Sequence, residues 1–212
     1  MNQGALPVTT LSPLLLGVLV ASLLGVALLR APWRALLSRS ERQHAFFACL
    51  FILPLLWAGT MEVTSGVRLH LMGMTAVLLV FGWELAVVIG ALAGAVLVIF
   101  GAWHWSHLPV NLSLVVAVPV AITQGLLVVA DRLPRSNLFV YLLGVGFLGG
   151  ALSMTASLVM GARLLAWDLD HAMALLLAFP EGFIDGTVIT ALTVFYPTIM
   201  RTYDDERYLG RP

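Results

Sequence analysis

From Leu69 to Trp103 the chain runs for about 35 residues with only two ionisable side chains, His70 and Glu84. A soluble domain has no interior large enough to hide such a run, and lipid is the solvent that accepts it. One crossing of a hydrocarbon core about 30 Å thick takes about 20 residues. The run is therefore too long for one helix and fits two short ones, with a turn near Gly82-Trp83-Glu84. The rest of the chain agrees. It is 60% hydrophobic and 10% charged, against about 25% charged in soluble domains.

The other apolar segments are read as spans over Val8–Leu29, His44–Thr60, Leu112–Ala130, Leu138–Leu165 and Ala172–Met200. Polar stretches separate them: Met61–Arg68, His104–Asn111, Asp131–Arg135 and Trp167–Asp170. The first span lacks a basic leader region and a small-residue cleavage site, so it is expected to be retained rather than removed. The expectation is an all-α, polytopic protein of about seven transmembrane helices, a single integral membrane domain over residues 1–212.

Orientation follows from the basic residues. All eleven are arginine and none is lysine. With the N-terminus outside, Arg30, Arg34, Arg39, Arg42, Arg132, Arg135, Arg201, Arg207 and Arg211 fall on the cytoplasmic side, and only Arg68 and Arg163 outside. Nine against two is the bias that orients helices in an inner (plasma) membrane, and it places the C-terminus in the cytoplasm. Merging the third and fourth spans would destroy it. Arginine also forks onto lipid phosphates, but a GC-rich genome is the preferred account of the missing lysine. Trp33, Trp83, Trp103, Trp105 and Trp167 fall near span ends, as an aromatic belt does.

Two glycine pairs at a spacing of four, Gly90–Gly94 and Gly146–Gly150, mark faces where helices can approach closely. The lone Cys49 excludes a disulfide framework and reads as a small buried apolar residue. The chain has no phosphate-binding loop, no HExxH zinc-protease motif and no GxSxG elbow. An enzyme is not expected, and ATP-driven work needs a separate ATPase subunit.

The polar chemistry gathers on the side expected to face out. His70, His104, His107 and His171 lie there with Glu62, Asp168 and Asp170, leaving only His44 at the opposite edge. Imidazole and carboxylate suit divalent transition metals, and His70 with Met72 and Met74 also suits Cu(I). His104 and His107 have the spacing of two ligands on one helical turn. Glu181 and Asp185, in Phe179-Pro-Glu-Gly-Phe-Ile-Asp-Gly-Thr187, share one helix face. Inside a bilayer a carboxylate costs at least about 2.5 kcal/mol and is seldom without a partner. Metal contact, a proton relay and a hydrogen-bonded hinge remain open for this pair. So does a helix that begins near Pro180, with Glu181 in its first turn. Glu84 is expected to be solvated at a turn.

Three segments carry a family resemblance. Thr64-Ser-Gly-Val-Arg-Leu-His-Leu-Met-Gly73, Leu108-Pro-Val-Asn111 and Glu181-Gly-Phe-Ile-Asp-Gly-Thr-Val-Ile-Thr190 resemble, in order and spacing, runs of the CbiM/NikM family. These are the membrane substrate-binding components of energy-coupling-factor cobalt and nickel importers. The resemblance implies seven helices, an outside N-terminus, a cobalt or nickel ion as cargo, and ATPase and transmembrane coupling subunits as partners. It carries over His70 as a metal ligand and Asn111 as a supporting residue. The family's N-terminal Met-His pair and Asp-Gly-Gly loop have no counterpart in this chain. From the chain itself, His104 and His107 are candidates to replace those ligands, with Glu181 and Asp185 deeper along the path. A membrane assembly factor or metallochaperone handling copper is the alternative. An intramembrane acid/base enzyme using Glu181 and Asp185 ranks last. No nucleic-acid partner is expected.

Overall fold

The computed structural model describes residues 11–64, 67–133, 137–165 and 171–209. The expectations for Trp167, Asp168, Asp170, Arg135 and Arg211 fall outside the described residues, as do the side chains of Glu62, Arg68 and His171.

Helices dominate. In chain order they are α1 (Leu11–Arg30), α2 (Trp33–Leu37), α3 (Ser40–Ala58), α4 (Met74–Phe81), α5 (Trp83–Ile99), α6 (Leu108–Leu112), α7 (Val118–Arg132), α8 (Leu148–Leu165), α9 (His171–Phe195) and α10 (Asp205–Leu209). Among the described residues three helical runs are long and apolar enough to cross a membrane: Trp105–Arg132, Val140–Leu164 and Ala174–Phe195. Leu14–Arg30 and Trp83–Ile99 are shorter apolar helices. The chain is a helical membrane protein.

Its surface supports that assignment. Leu15, Val18 and Leu19 on α1, Phe47, Phe51 and Leu55 on α3, and Leu175, Phe179 and Phe183 on α9 all point outward and are exposed. Hydroxyls on the outer face of α9 do not need water. Thr187 donates to the Phe183 carbonyl at 2.7 Å and Thr190 to the Gly186 carbonyl at 2.7 Å, each one turn back in its own helix.

The polar stretch after α3 forms a short antiparallel hairpin, β1 (Met61–Thr64) with β2 (Val67–Leu69), in the register Met61 to Leu69 and Glu62 to Arg68. The segment His104–Asn111, expected as a loop, is helical from Trp105 onward. A 3-10 turn at Trp105–His107 leads into α6 without a break. Leu108 and Pro109 open that helix, and Pro109 loses nothing there because first-turn N–H groups have no intrahelical partner.

The run from α6 to α7 passes through a π-helical stretch, Ser113–Ala117, just before Pro119. In that register the N–H that would meet the Leu114 carbonyl belongs to residue 119, and proline has none. Ser157 of α8 supplies the missing donor, its hydroxyl 2.6 Å from the Leu114 carbonyl oxygen.

Both expected glycine pairs lie at close crossings. On α5, a Cβ on Gly90 would sit 2.7 Å from Val116, and one on Gly94 2.8 Å from Leu112. Gly146 and Gly150 face Gly186 and Gly182 of α9. A Cβ on Gly182 would come 2.6 Å from the Phe147 carbonyl oxygen. Two backbones thus meet where side chains would hold them apart. Cys49 is half-buried against the core, close to the expected role.

Candidate functional site: a short buried helix held at both ends

The turn expected near Gly82 is present. Gly82 has φ 83°, a conformation that a side chain disfavours, and it separates α4 from α5. What precedes it is unusual for a membrane protein. Helix α4 has 8 residues, about 12 Å of rise, less than half the hydrocarbon thickness. Yet it is the most enclosed element. Met74, Thr75 and every residue from Val77 to Phe81 are buried. Its start is met by a buried side chain of α9, whereas its end lies beside a partly exposed one.

A helix end leaves N–H or C=O groups without intrahelical partners, and where water is excluded each one needs another partner. At the start of α4 the partners come from α9. Glu181 is 2% exposed. Its two oxygens accept from the backbone N–H of Met72 at 2.8 Å and of Gly73 at 2.7 Å. One turn further along α9, Asp185 faces the Thr75 hydroxyl and the Ala76 N–H. Thr75 also shares a 2.9 Å hydrogen bond with Thr123 of α7. Asp185 Oδ2 has no hydrogen-bond partner among the described residues, and it lies 2.9 Å from where a Cβ on Gly150 would be. The carboxyl oxygens thus meet the positive end of the α4 dipole.

The end of α4 is held by the chain that follows α9. The Arg201 N–H donates to the Val80 carbonyl at 2.9 Å, and the Thr202 hydroxyl to the Leu79 carbonyl at 2.7 Å. The Arg201 guanidinium donates to the Phe81 carbonyl at 3.2 Å and pairs with Glu84 at 2.9 Å. Glu84 is therefore not a freely solvated turn residue but the counter-ion of Arg201, its side chain 13% exposed.

The alternative in which a helix begins near Pro180 does not hold. Helix α9 runs unbroken through Pro180, so Glu181 lies in its interior. Both side chains are hydrogen-bonded to the 72–76 segment. Metal ligation by Glu181 would have to share oxygens already occupied by backbone donors.

His70 lies between β2 and α4 and is half-buried. Its Nδ1 is 3.1 Å from the Leu71 carbonyl oxygen, and Nε2 makes no hydrogen bond among the described residues. Its ring is 6.3 Å from that of Trp57, which stacks on Trp103 at 5.5 Å with the planes 3° apart. The Trp57 indole N–H donates to the Met72 carbonyl at 3.0 Å, tying α3 to the same segment. Met72 and Met74 are core residues. The Met74 methyl packs against Gly90 of α5, so its thioether is a packing element.

His104 and His107 are exposed, with rings 6.1 Å apart. His104 Nδ1 is 2.7 Å from the Ser106 hydroxyl. Asn111 is half-buried on α6. The structure brings Glu181 and Asp185 to the segment that follows His70. Among the described residues, no group of three or more His, Cys, Asp or Glu side chains lies close enough to hold a metal ion. Sequence reasoning missed Arg201 and Thr202 as partners of α4, because no local pattern reveals that a tail residue caps a helix 120 positions earlier.

No family model, curated protein or solved structure matches this chain. The class defined by fold and site is a helical membrane protein with a buried half-length helix capped by intramembrane carboxylates.

Proposed function

We propose that this chain is the membrane-embedded substrate-binding subunit of an energy-coupling-factor-type importer for a divalent transition metal ion, cobalt or nickel. The observation that carries the reading is the Glu181 carboxylate on the N–H groups of Met72 and Gly73. It joins two of the three segments that resemble the CbiM/NikM family. The third begins at Leu108, which lies beside Trp103 around Gly94. Through the Trp57–Trp103 stack it reaches the neighbourhood of His70.

In this reading the chain crosses the inner membrane seven times: α1, α3, α4 with the segment leading into it, α5, the run from Trp105 to Arg132, the run from Val140 through α8, and α9. The end that collects Arg39, Arg42, Arg201 and Arg207 faces the cytoplasm, following the bias in basic residues. His70 offers Nε2 to the ion at the outer end. His104 and His107 offer two further imidazoles on the same side, and Asn111 supports them. Glu181 and Asp185 act through α4 by fixing the segment that presents His70. The chain is not an enzyme. Reorientation draws on ATP hydrolysed by a separate ATPase, through a transmembrane coupling subunit. The burial of Met72 and Met74 in the core speaks for cobalt or nickel rather than copper as cargo.

The test is calorimetry and mass-spectrometric metal analysis of the detergent-purified protein with Co(II), Ni(II) and Cu(I), on wild type and His70→Ala. The expected result is stoichiometric binding of Co(II) or Ni(II), weakened at least about tenfold in the variant, since each tenfold is only about 1.4 kcal/mol. Equal affinity in wild type and variant would remove His70 from the site. Binding of Cu(I) alone would move the protein to copper handling.

A further inference from the structure

The arginine-rich end holds a second arrangement that the metal reading does not use. Arg39 Nη1 and Arg42 Nη2 converge on one acceptor, the Thr198 carbonyl oxygen, each at 3.3 Å. Each guanidinium carries five N–H donors and no acceptor. Beyond that shared carbonyl, neither has a hydrogen-bond or ion-pair partner among the described residues. The Nε of Arg42 is buried and unpartnered. Arg201 is the next charge felt by Arg42, so positive groups crowd here. Arg201 already has Glu84. The other local carboxylate, Glu41, makes no ion pair among the described residues.

An open cavity of about 390 Å³ lies beside this cluster, lined by Ser38, Arg39, Ser40, Glu41 and Thr198. It sits at the start of the 19-residue helix α3, whose first N–H groups receive no side-chain cap. The Ser38 hydroxyl donates to the Ala35 carbonyl at 3.1 Å, but the unused Arg39 donors, the Ser40 hydroxyl and the uncapped N–H groups favour an oxyanion.

The surroundings indicate where that anion comes from. Helix α2, one turn away in sequence, exposes Trp33 and Leu37. The Trp33 N–H is tied back to the Leu28 carbonyl at 3.0 Å. An exposed indole and leucine on a short helix between two apolar ones mark the depth of the lipid headgroups.

We propose that Arg39 and Ser40, with Arg42 adjoining them through the shared Thr198 carbonyl, form a binding site for the phosphate of an anionic phospholipid headgroup. The lipid phosphate completes the donors left open by the protein and screens the two guanidinium charges from each other. It thereby holds the α2–α3 corner against the Thr198 segment that follows α9.

Native mass spectrometry of the full-length, delipidated protein in detergent tests this, with phosphatidylglycerol, phosphatidylcholine and inorganic phosphate as probes. Wild type is expected to retain phosphatidylglycerol over phosphatidylcholine. Arg39→Gln, an exposed position, is expected to weaken that retention about five- to tenfold, the loss of one charge-assisted contact. Glu41→Gln removes the competing carboxylate and is expected to strengthen it. Arg163→Gln, at an exposed position away from the cluster, serves as the control and is expected to change nothing. Displacement of the lipid by millimolar inorganic phosphate would assign the site to phosphate from any source, overturning the lipid assignment while keeping the oxyanion chemistry. Equal retention of both lipids, or unchanged retention in Arg39→Gln together with Glu41→Gln, would overturn the proposal and leave an acidic segment of a partner protein as the occupant of this surface.

Discussion

The two ends of α4 solve the same problem in different surroundings. At its start, Glu181, itself buried, meets two backbone N–H groups. At its end, Arg201 and Thr202 meet three carbonyls, but the Arg201 side chain is 35% exposed and water can share the work. The same kind of cap therefore carries different weight. A buried donor left without a partner costs about 1–3 kcal/mol, whereas an exposed ion pair contributes about 0–1 kcal/mol. Depth in the bundle sets the energetic weight of these side chains more than their chemistry does.

Substitutions can sharpen that contrast. The largest effect is expected from Glu181→Ala. It strands the N–H groups of Met72 and Gly73 and should cost about 3–5 kcal/mol of unfolding free energy, read from sodium dodecyl sulfate titration in mixed micelles. Glu181→Gln keeps one acceptor oxygen and should cost about half as much. A loss below about 1 kcal/mol for both would mean that water reaches this end and that the two ends are alike.

Next comes Gly182→Leu. It drives a side chain into the Phe147 carbonyl and Ala151, forces α9 off α8, and moves Glu181 and Asp185 away from α4. Overpacking of this kind should cost about 3 kcal/mol in the same titration. It should also raise protease sensitivity in the 61–73 segment, which a purely local clash would not do.

The smallest effect is expected from Arg201→Gln. The Glu84 pair and the Phe81 contact are lost, but the Arg201 backbone N–H still serves Val80, so the cost should be about 1–2 kcal/mol and should fall as salt is added. A loss as large as that of Glu181→Ala, insensitive to salt, would show that the exposed end is as critical as the buried one.

Much of this was legible in the chain. The scarcity of charge required lipid as solvent, and the length of the Leu69–Trp103 run required a break, placed correctly at Gly82. The spacing of Glu181 and Asp185 put both on one face of α9, and their cost in a bilayer implied partners. The pairs Gly90–Gly94 and Gly146–Gly150 marked helix contacts that are present. These are local properties, set by the period of the helix, the thickness of a bilayer and the desolvation of a charge. They are written within stretches of a few to some tens of residues.

Other features needed the tertiary structure. Composition did not reveal that the third apolar segment is only a half-length helix, that Glu84 is paired with Arg201, or that the segment around His104 and His107 is helical. Nor did it show that Glu181 is engaged by backbone donors. The last of these and the Glu84 pairing depend on which distant group arrives at a given helix end: Glu181 from 108 positions beyond Gly73, Arg201 from 117 beyond Glu84. A sequence states which polar groups will be costly to bury. Which partner removes that cost is decided only when the helices pack, because a hydrogen bond forms across a few ångströms of space regardless of distance along the chain.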